Sequence, residues 1–408
     1  MKKRVLYLIL AMAMVVSLLT GCASSNGKQN TTSSTSVDIF KTVESQYKIA
    51  LITDYGEITD QSFNQTTYEA CKTFCAENSL DFEYYKPSED STAQRVASVE
   101  AAINDGYNVI IMPGYAFASV IVEISAKYPN VKFVALDVAK GDLLEVAVPR
   151  AGQVYDNNPD NWNLEQYVYM DNVYCAVYQE EISGYMAGYA AVKMGYRNLG
   201  YLGGNAVPVV MRFGYGFIQG ADAAATELGL QDVTIKYAYS NQFFGDGVIT
   251  SAMDTWYQNG TEVVFACGGG IYTSVAEAAS RVGGKVIGVD SDQSFVIDAA
   301  YGDGITITSA MKGLYPTTID TLTDVVLHNK WTNYAGKITT LGLHSKTEVE
   351  SNYVQLPLET TQWTSSFAEN DYKMLVGKLY DRIATVSSDV STMPAVNVVR
   401  IENLGNLK

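Results

Sequence analysis

From Tyr47 onward the chain alternates short apolar runs with longer amphipathic stretches, and no other feature restricts its fold as tightly. Tyr47 to Thr53 (YKIALIT), Val109 to Met112, Lys132 to Leu136, Asn198 to Leu202, Val263 to Ala266, Lys285 to Val289 and Ile305 to Ser309 are too short for helices. Bounded by Gly, Pro, Asp or Asn, they read as strands buried on both faces. Between them lie helical patterns at Phe63 to Asn78, Ala93 to Ile103, Ser183 to Met194, Gly214 to Leu228 and Thr273 to Val282. Repeated strand, helix, strand units demand parallel sheets with helices on both sides. Two such series, Tyr47 to Asp137 and about Gln179 to Asp290, predict an α/β protein of two doubly wound, Rossmann-like lobes.

The N-terminal lobe is expected over 46–137, completed by about 308–330, and the second over 179–307, completed by about 331–408. Residues 138–178 carry Asn157-Asn158-Pro159-Asp160-Asn161 and show no clear period, so they read as an extended insertion or hinge. A helix is expected around Pro316 to His328, with strands at Lys337 to Leu343 and Tyr353 to Leu356.

Composition removes several kinds of function. With 28 Lys plus Arg against 44 Asp plus Glu, the formal charge of −16 repels a nucleic-acid backbone and an anionic membrane surface. The two histidines, His328 and His344, lack flanking ligands, so neither a histidine zinc site nor a Ser-His-Asp triad is expected, and no metal or cofactor is called for. Five cysteines, Cys22, Cys71, Cys75, Cys175 and Cys267, form no disulfide framework; Cys71 and Cys75, four apart on a helix, read as buried thiols. Gly284-Lys285 is followed by Val286 rather than Ser or Thr, and neither a G-x-G-x-x-G after the first strand nor a G-x-S-x-G elbow occurs. A legible catalytic constellation is missing, and the chain reads as a binding protein rather than an enzyme. Its 29 tyrosines suit a wet cleft, each having a flat apolar face and a polar tip.

Lys2, Lys3 and Arg4 precede an apolar run from Val5 to Leu19 broken only by Ser17, the pattern of a secretory signal. The run ends Leu19-Thr20-Gly21-Cys22, which resembles the lipobox of bacterial lipoproteins. Residues 1–21 are therefore expected to be a signal peptide, Cys22 the lipidated residue and 22–45 a flexible linker rich in Ser, Thr, Asn and Gln. That places the protein on the extracytoplasmic face of the cell membrane, held by lipid alone.

Ligands of open α/β sheets sit outside the carboxyl ends of the strands. The residues there are Thr53-Asp54-Tyr55-Gly56, Pro113-Gly114-Tyr115, Gly203-Gly204-Asn205, Gly268-Gly269-Gly270 and Asp290-Ser291-Asp292. Asp54, Tyr55, Tyr115, Gly268, Gly270, Asp290 and Asp292 are thus candidate ligand-binding residues, although the glycines could equally form plain turns.

Asp54-Tyr55-Gly56 followed by Asp60-Gln61-Ser62-Phe63-Asn64 resembles the D-x-G-x-x-x-D-x-S-F-N signature of the basic membrane protein family, whose best-known members are purine nucleoside receptor lipoproteins. Gly184-Tyr185-Met186-Ala187-Gly188, Gly203-Gly204 through Pro208 to Arg212-Phe213, Gly288-Val289-Asp290-Ser291-Asp292-Gln293 and Thr308-Ser309-Ala310-Met311-Lys312 match in family order, over roughly Tyr47 to Leu356. The resemblance implies a type I periplasmic-binding-protein-like fold that closes on a small ligand, works as a monomer and delivers the ligand to ABC permease subunits. It further implies that Asp60 and Asn64 hold a purine, Phe213 stacks on it, and Asp290 and Lys312 hold ribose hydroxyls. The family's second stacking aromatic is replaced near Glu57-Ile58 unless Tyr55 substitutes, and Tyr115-Ala116-Phe117-Ala118-Ser119 stands where purine binders often carry an acidic residue. A different nucleoside, a flavin or sugar-like ligand, and a sensor that signals to a membrane partner stay open as alternatives. These residues also have a purely structural reading: Asn64, Asp290 and Asp292 as caps, Phe213 as helix core, Lys312 as a solvated charge.

Overall fold

The computed structural model describes residues 47–407, so the expected signal segment, Cys22 and the whole of the 22–45 linker lie outside the described residues. The first strand, β1 (Ile49–Ile52), is buried at every position, as a strand between two helix layers must be. It is followed by α1 (Phe63–Glu77), β2 (Phe82–Tyr85), α2 (Thr92–Asn104), β3 (Val109–Pro113), α3 (Phe117–Ile124), β4 (Lys132–Leu136), α4 (Lys140–Arg150) and β5 (Val173–Tyr178). A second series runs α5 (Glu180–Lys193), β6 (Asn198–Gly203), α6 (Pro208–Leu228), β7 (Thr234–Tyr239), α7 (Gly247–Gln258), β8 (Val263–Cys267), α8 (Tyr272–Val282), β9 (Lys285–Asp290), α9 (Ser294–Tyr301) and β10 (Thr306–Lys312). The closing part supplies α10 (Leu314–Leu322), β11 (Lys337–Leu341), β12 (Val354–Gln355), α11 (Glu369–Tyr380) and β13 (Arg400–Asn406).

The strands form a six-stranded sheet of order β11-β5-β4-β3-β1-β2 and a seven-stranded sheet of order β12-β10-β9-β8-β6-β7-β13. All pairs are parallel except β10 with β12. Alternate residues of one strand pack on opposite faces of the first sheet: Ile52, Ile110, Met112 and Phe133 on one, Leu51, Ile111, Val134 and Leu136 on the other. The same alternation divides Tyr201 and Phe265 from Leu202 and Val264 in the second sheet. This is the two-lobed α/β architecture that the strand and helix pattern predicts, and it agrees with the type I periplasmic-binding-protein-like fold that the family resemblance implies.

Sheet membership redraws the expected internal boundaries. The stretch 138–178 is not an extended insertion: Lys140–Arg150 is a helix whose Leu143, Leu144, Ala147 and Val148 are buried, and Val173–Tyr178 is an inner strand of the first sheet. Gly141 and Pro149 interrupt the apolar period of that helix, which hides it from a sequence reading. Only 151–172 is largely irregular. Nor does the first lobe recover 308–312, because those residues belong to β10, which pairs with β9. It recovers α10, which packs on α1, and β11, which pairs with β5, so 331–341 lies with the first sheet rather than the second. The chain therefore passes between the sheets three times, after Tyr178, after Lys312 and after Leu341.

Candidate functional site

The carboxyl ends of the strands in the two sheets meet at Lys312, the last residue of β10. Its ammonium pairs with the carboxylate of Asp137, just beyond β4 of the first sheet, and lies 3.6 Å from Asp290 Oδ1 and 3.9 Å from Glu180 Oε1. Asp137, Asp290, Glu180 and Lys312 are all buried. Three rings surround the same ammonium, with centroids at 4.6 Å (Phe63), 5.6 Å (Tyr178) and 5.8 Å (Phe213). Burial works against a charged lysine, but Asp137, Asp290 and Glu180 together outweigh it and hold Lys312 above its ordinary value. Burial likewise raises both aspartates, Asp137 to about 6, against the pull of Lys312.

The lobes also touch around this centre. Ser62 Oγ of the first lobe donates to Asp290 Oδ2 at 2.7 Å, and the Gln61 carbonyl accepts from Ser291 Oγ and Gln293 Nε2 of the second, both at 3.1 Å. Tyr115, beyond β3, has its hydroxyl raised by burial, and Asn205, beyond β6, pulls it back down. Asp290 of the strand-end set and Lys312, which the family resemblance implies, thus come together.

Other candidates serve the local backbone. Asp60 accepts the N–H groups of Ser62, Asn64 and Gln65 at 2.9–3.1 Å, which caps α1 and fixes its first turn. Burial pushes this carboxyl up to about 6 although those donors pull it down. Asn64 Nδ2 also donates to Asp60, which leaves the buried Asn64 Oδ1 without a hydrogen-bond partner. Asp54 Oδ1 takes the N–H groups of Tyr55 and Gly56, and Tyr55 is exposed beneath Lys86. Asp292 caps α9 through Ser294 and accepts from Thr360 Oγ1, so both its oxygens are occupied.

Phe213 does not offer a stacking face. It is 1% exposed and meets Phe265 edge-on, forming the floor behind Lys312. Nor do Gly268 and Gly270 form an open loop. A Cβ on Gly268 would lie 2.9 Å from the half-buried Phe243 ring, which also covers Gly204, and Gly270 N–H donates to the Phe243 carbonyl at 2.8 Å. Phe243 is thus the second-lobe aromatic at the strand ends. It sits in a loop without periodicity, so no sequence signal marks it.

Asp137 had a signal: Lys132-Phe-Val-Ala-Leu-Asp137 and Lys285-Val-Ile-Gly-Val-Asp290 are the same lysine-to-aspartate strand in two copies. Glu180 carries no comparable mark, and Arg212 stands only within the Pro208 to Arg212-Phe213 match, with no role attached. They are joined because α5 and α6 pack backbone to backbone. A Cβ on Gly184 or Gly188 would strike the Phe213 or Phe217 carbonyl, and one on Gly216 or Gly220 the Glu181 or Tyr185 carbonyl. This reciprocal glycine seam holds the Glu180 end of α5 against the Arg212 end of α6, where Arg212 Nε donates to Glu180 Oε2 at 2.6 Å.

Two parallel α/β lobes with charged strand ends facing each other define a protein that holds a small molecule between lobes. The chain belongs to the PnrA-like ABC transporter substrate-binding protein family (Bmp), whose profile matches residues 47–371. It is 27% identical over 310 residues to the ABC transporter nucleoside-binding protein BmpA of Lactococcus lactis, covering 72% of this chain and 76% of that one. It is 25% identical over 332 residues to basic membrane protein B of Borreliella burgdorferi, covering 80% and 83%. The fold is similar to that of an ABC transporter solute-binding protein from Aeropyrum pernix, with a TM-score of 0.59 at 20% identity, covering 84% and 88%. Among the described residues no helix is long and apolar enough to cross a membrane.

Proposed function

We propose that this substrate-binding protein is the lipid-anchored, extracytoplasmic receptor of an ABC importer for a purine nucleoside, which it hands as a monomer to permease subunits. One observation carries the ligand class: Lys312 between Asp137 and Asp290, buried where the two lobes meet. Carboxylates accept and an ammonium donates, which suits the adjacent hydroxyls of a ribose. The faces of Phe63 and Phe243 suit a planar base, and the free Asn64 Oδ1 suits a base N–H. The nucleoside-binding relative in Lactococcus lactis supports the same reading. Lipid attachment at Cys22 rests on the Leu19-Thr20-Gly21-Cys22 signal.

The test is mass spectrometry of whatever small molecule copurifies with the soluble protein lacking residues 1–22, followed by calorimetry with inosine, adenosine and guanosine. A nucleoside in the first and saturable binding in the second are expected. Release of a different ligand class, with no heat from any nucleoside, refutes the reading.

A further inference from the structure

The buried region around Lys312 holds four carboxylates, Asp137, Asp290, Glu180 and Glu181, and two cations, Lys312 and Arg212. Charges alternate along a line: Arg212 on Glu180, Glu180 within 3.9 Å of Lys312, Lys312 on Asp137 and Asp290. Glu180 and Arg212 sit at the beginnings of α5 and α6, one step behind the residues that face the opposite lobe.

From this geometry we infer that the Arg212–Glu180 pair is a positioning device that keeps the Lys312 ammonium on the two inter-lobe carboxylates. Glu180 is fully buried and has two oxygens to satisfy. Arg212 takes Oε2 through a short charged hydrogen bond, which leaves only the long contact of Oε1 to Lys312. Without Arg212 the nearest cation to an otherwise unpaired buried carboxylate is Lys312, and a buried charge takes whatever partner it can reach. The ammonium would be drawn toward Glu180 and away from Asp137 and Asp290. The glycine seam is what makes the arrangement possible, because only backbone contact brings these two helix ends within reach of one salt bridge. Arg212 thereby sets the affinity of the cleft without touching the ligand.

The inference rests on the nucleoside reading only for its affinity arm. Inosine is the probe. Arg212→Met is expected to bind it about tenfold more weakly, Arg212→Lys to stay within about threefold, and the charge-balanced Arg212→Met/Glu180→Gln to recover most of the loss, as coupled members of one network do. A merely structural arginine predicts no recovery, because the double variant lacks the salt bridge just as the single one does. Ligand-free crystal structures give the second arm. Lys312 Nζ should move onto Glu180 in Arg212→Met and rest on Asp137 and Asp290 in the double variant. An unmoved Nζ in Arg212→Met, or equal weakness in single and double variants, overturns the positioning role. If wild type binds no inosine the nucleoside reading falls, while the Nζ positions still decide this one.

Discussion

Asp137 and Asp290 are counterparts across the two lobes: Asp137 directly follows β4, the fourth strand counted from β2, Asp290 ends β9, the fourth counted from β7, and each has a left-handed backbone, with φ of 63° and 64°. A non-glycine residue in that region is strained unless its surroundings hold it there. Here the holder is shared, since Lys312 pairs with the first and lies 3.6 Å from the second. The duplicated Lys-to-Asp strands thus converge on a single ammonium.

Removing that ammonium should be costly in a way acid relieves. Lys312→Met leaves Asp137, Asp290 and Glu180 buried without their common counter-charge, a loss of about 3–5 kcal/mol when one partner of a buried pair is deleted. Because protons can replace the missing cation, the variant should recover stability relative to wild type as pH falls from about 8 to about 5. Melting curves across that range check it. A deficit that is constant with pH would show that the carboxylates are not mutually dependent on Lys312.

The seam between α5 and α6 yields a contrast between glycines. Gly184→Ala would drive a methyl into the Phe213 carbonyl, so the helices must part, at a cost of about 1–3 kcal/mol and with displacement of Arg212 and Glu180. Gly377→Ala, inside α11 with nothing near its added methyl, should instead stabilise by about 0.5–1 kcal/mol. Chemical denaturation of the two variants is the measurement, and similar effects from both would refute the close-approach account.

How much of this was legible in the sequence depended on burial. Strands buried on both faces, such as β1, β3, β8 and β9, announce themselves as apolar runs. The edge and near-edge strands β2, β7 and β13 do not: Phe82–Tyr85 and Arg400–Asn406 are partly or largely exposed and carry no buried aliphatic run, and Thr234–Tyr239 is interrupted by Lys236. At the site, Asp290 and Lys312 stood inside recognisable motifs. Asp137 is followed by Val138 and Ala139 rather than by a glycine turn, so apart from the repeated lysine-to-aspartate strand no sequence signal marks it. Ser62, Phe63 and Arg212 lie within motifs, yet their roles, like those of Glu180 and Phe243, are tertiary. Each is defined by a residue outside its own element: Ser62 by Asp290, Phe63 by Lys312, Glu180 by Arg212, and Phe243 by the glycines it covers.

Glu181 should make stability depend on pH with a definite sign. It is buried and its Oε2 has no hydrogen-bond partner. Burial, reinforced by Glu180, raises its carboxyl from 4.5 to about 7. A folded-state value above the unfolded one means that the folded protein is penalised for ionising it, so its penalty is full above about pH 7 and disappears as pH falls toward about 4.5. Glu181→Gln should therefore be more stable than wild type at about pH 8, with the advantage gone near about pH 4.5. Parallel melting curves for the two proteins would refute this.

The C-terminal strap gives the opposite sign. Asp222 on α6 receives the N–H groups of Asn397, Val398 and Val399 and the Asn397 side-chain amide, all at 2.9–3.1 Å. Burial alone would raise this carboxyl, but the donors outweigh it and lower its value, so the stability it adds is present above the unfolded value and lost as pH falls through the folded one. Acid should therefore free the segment that leads into β13. Hydrogen exchange at Val398 and Val399 is expected to speed up in acid beyond its intrinsic change, and Asp222→Ala to show the same release at neutral pH. Protection that survives in Asp222→Ala would assign the strap to its strand pairing alone.

The last test separates the sugar from the base. If Asp290, with Lys312, holds ribose hydroxyls, then Asp290→Ala removes a charged hydrogen bond of about 1.5–3 kcal/mol that only a nucleoside can make. Inosine should weaken strongly while its free base, hypoxanthine, changes little. If Phe243 supplies a stacking face, Phe243→Ala should weaken both ligands alike, by about 1–3 kcal/mol. Phe213→Ala belongs in the same series, because a fully buried ring against Phe265 should lower the melting point of the ligand-free protein by a core loss of about 3–5 kcal/mol, which Phe243→Ala should not. Calorimetry with the two ligands and ligand-free melting curves on all three variants give the full comparison. Equal losses of inosine and hypoxanthine in Asp290→Ala would mean that Asp290 does not read the sugar. A Phe213→Ala protein with unchanged melting and weak binding of both ligands would return the stacking role to Phe213, which its burial beneath Lys312 argues against.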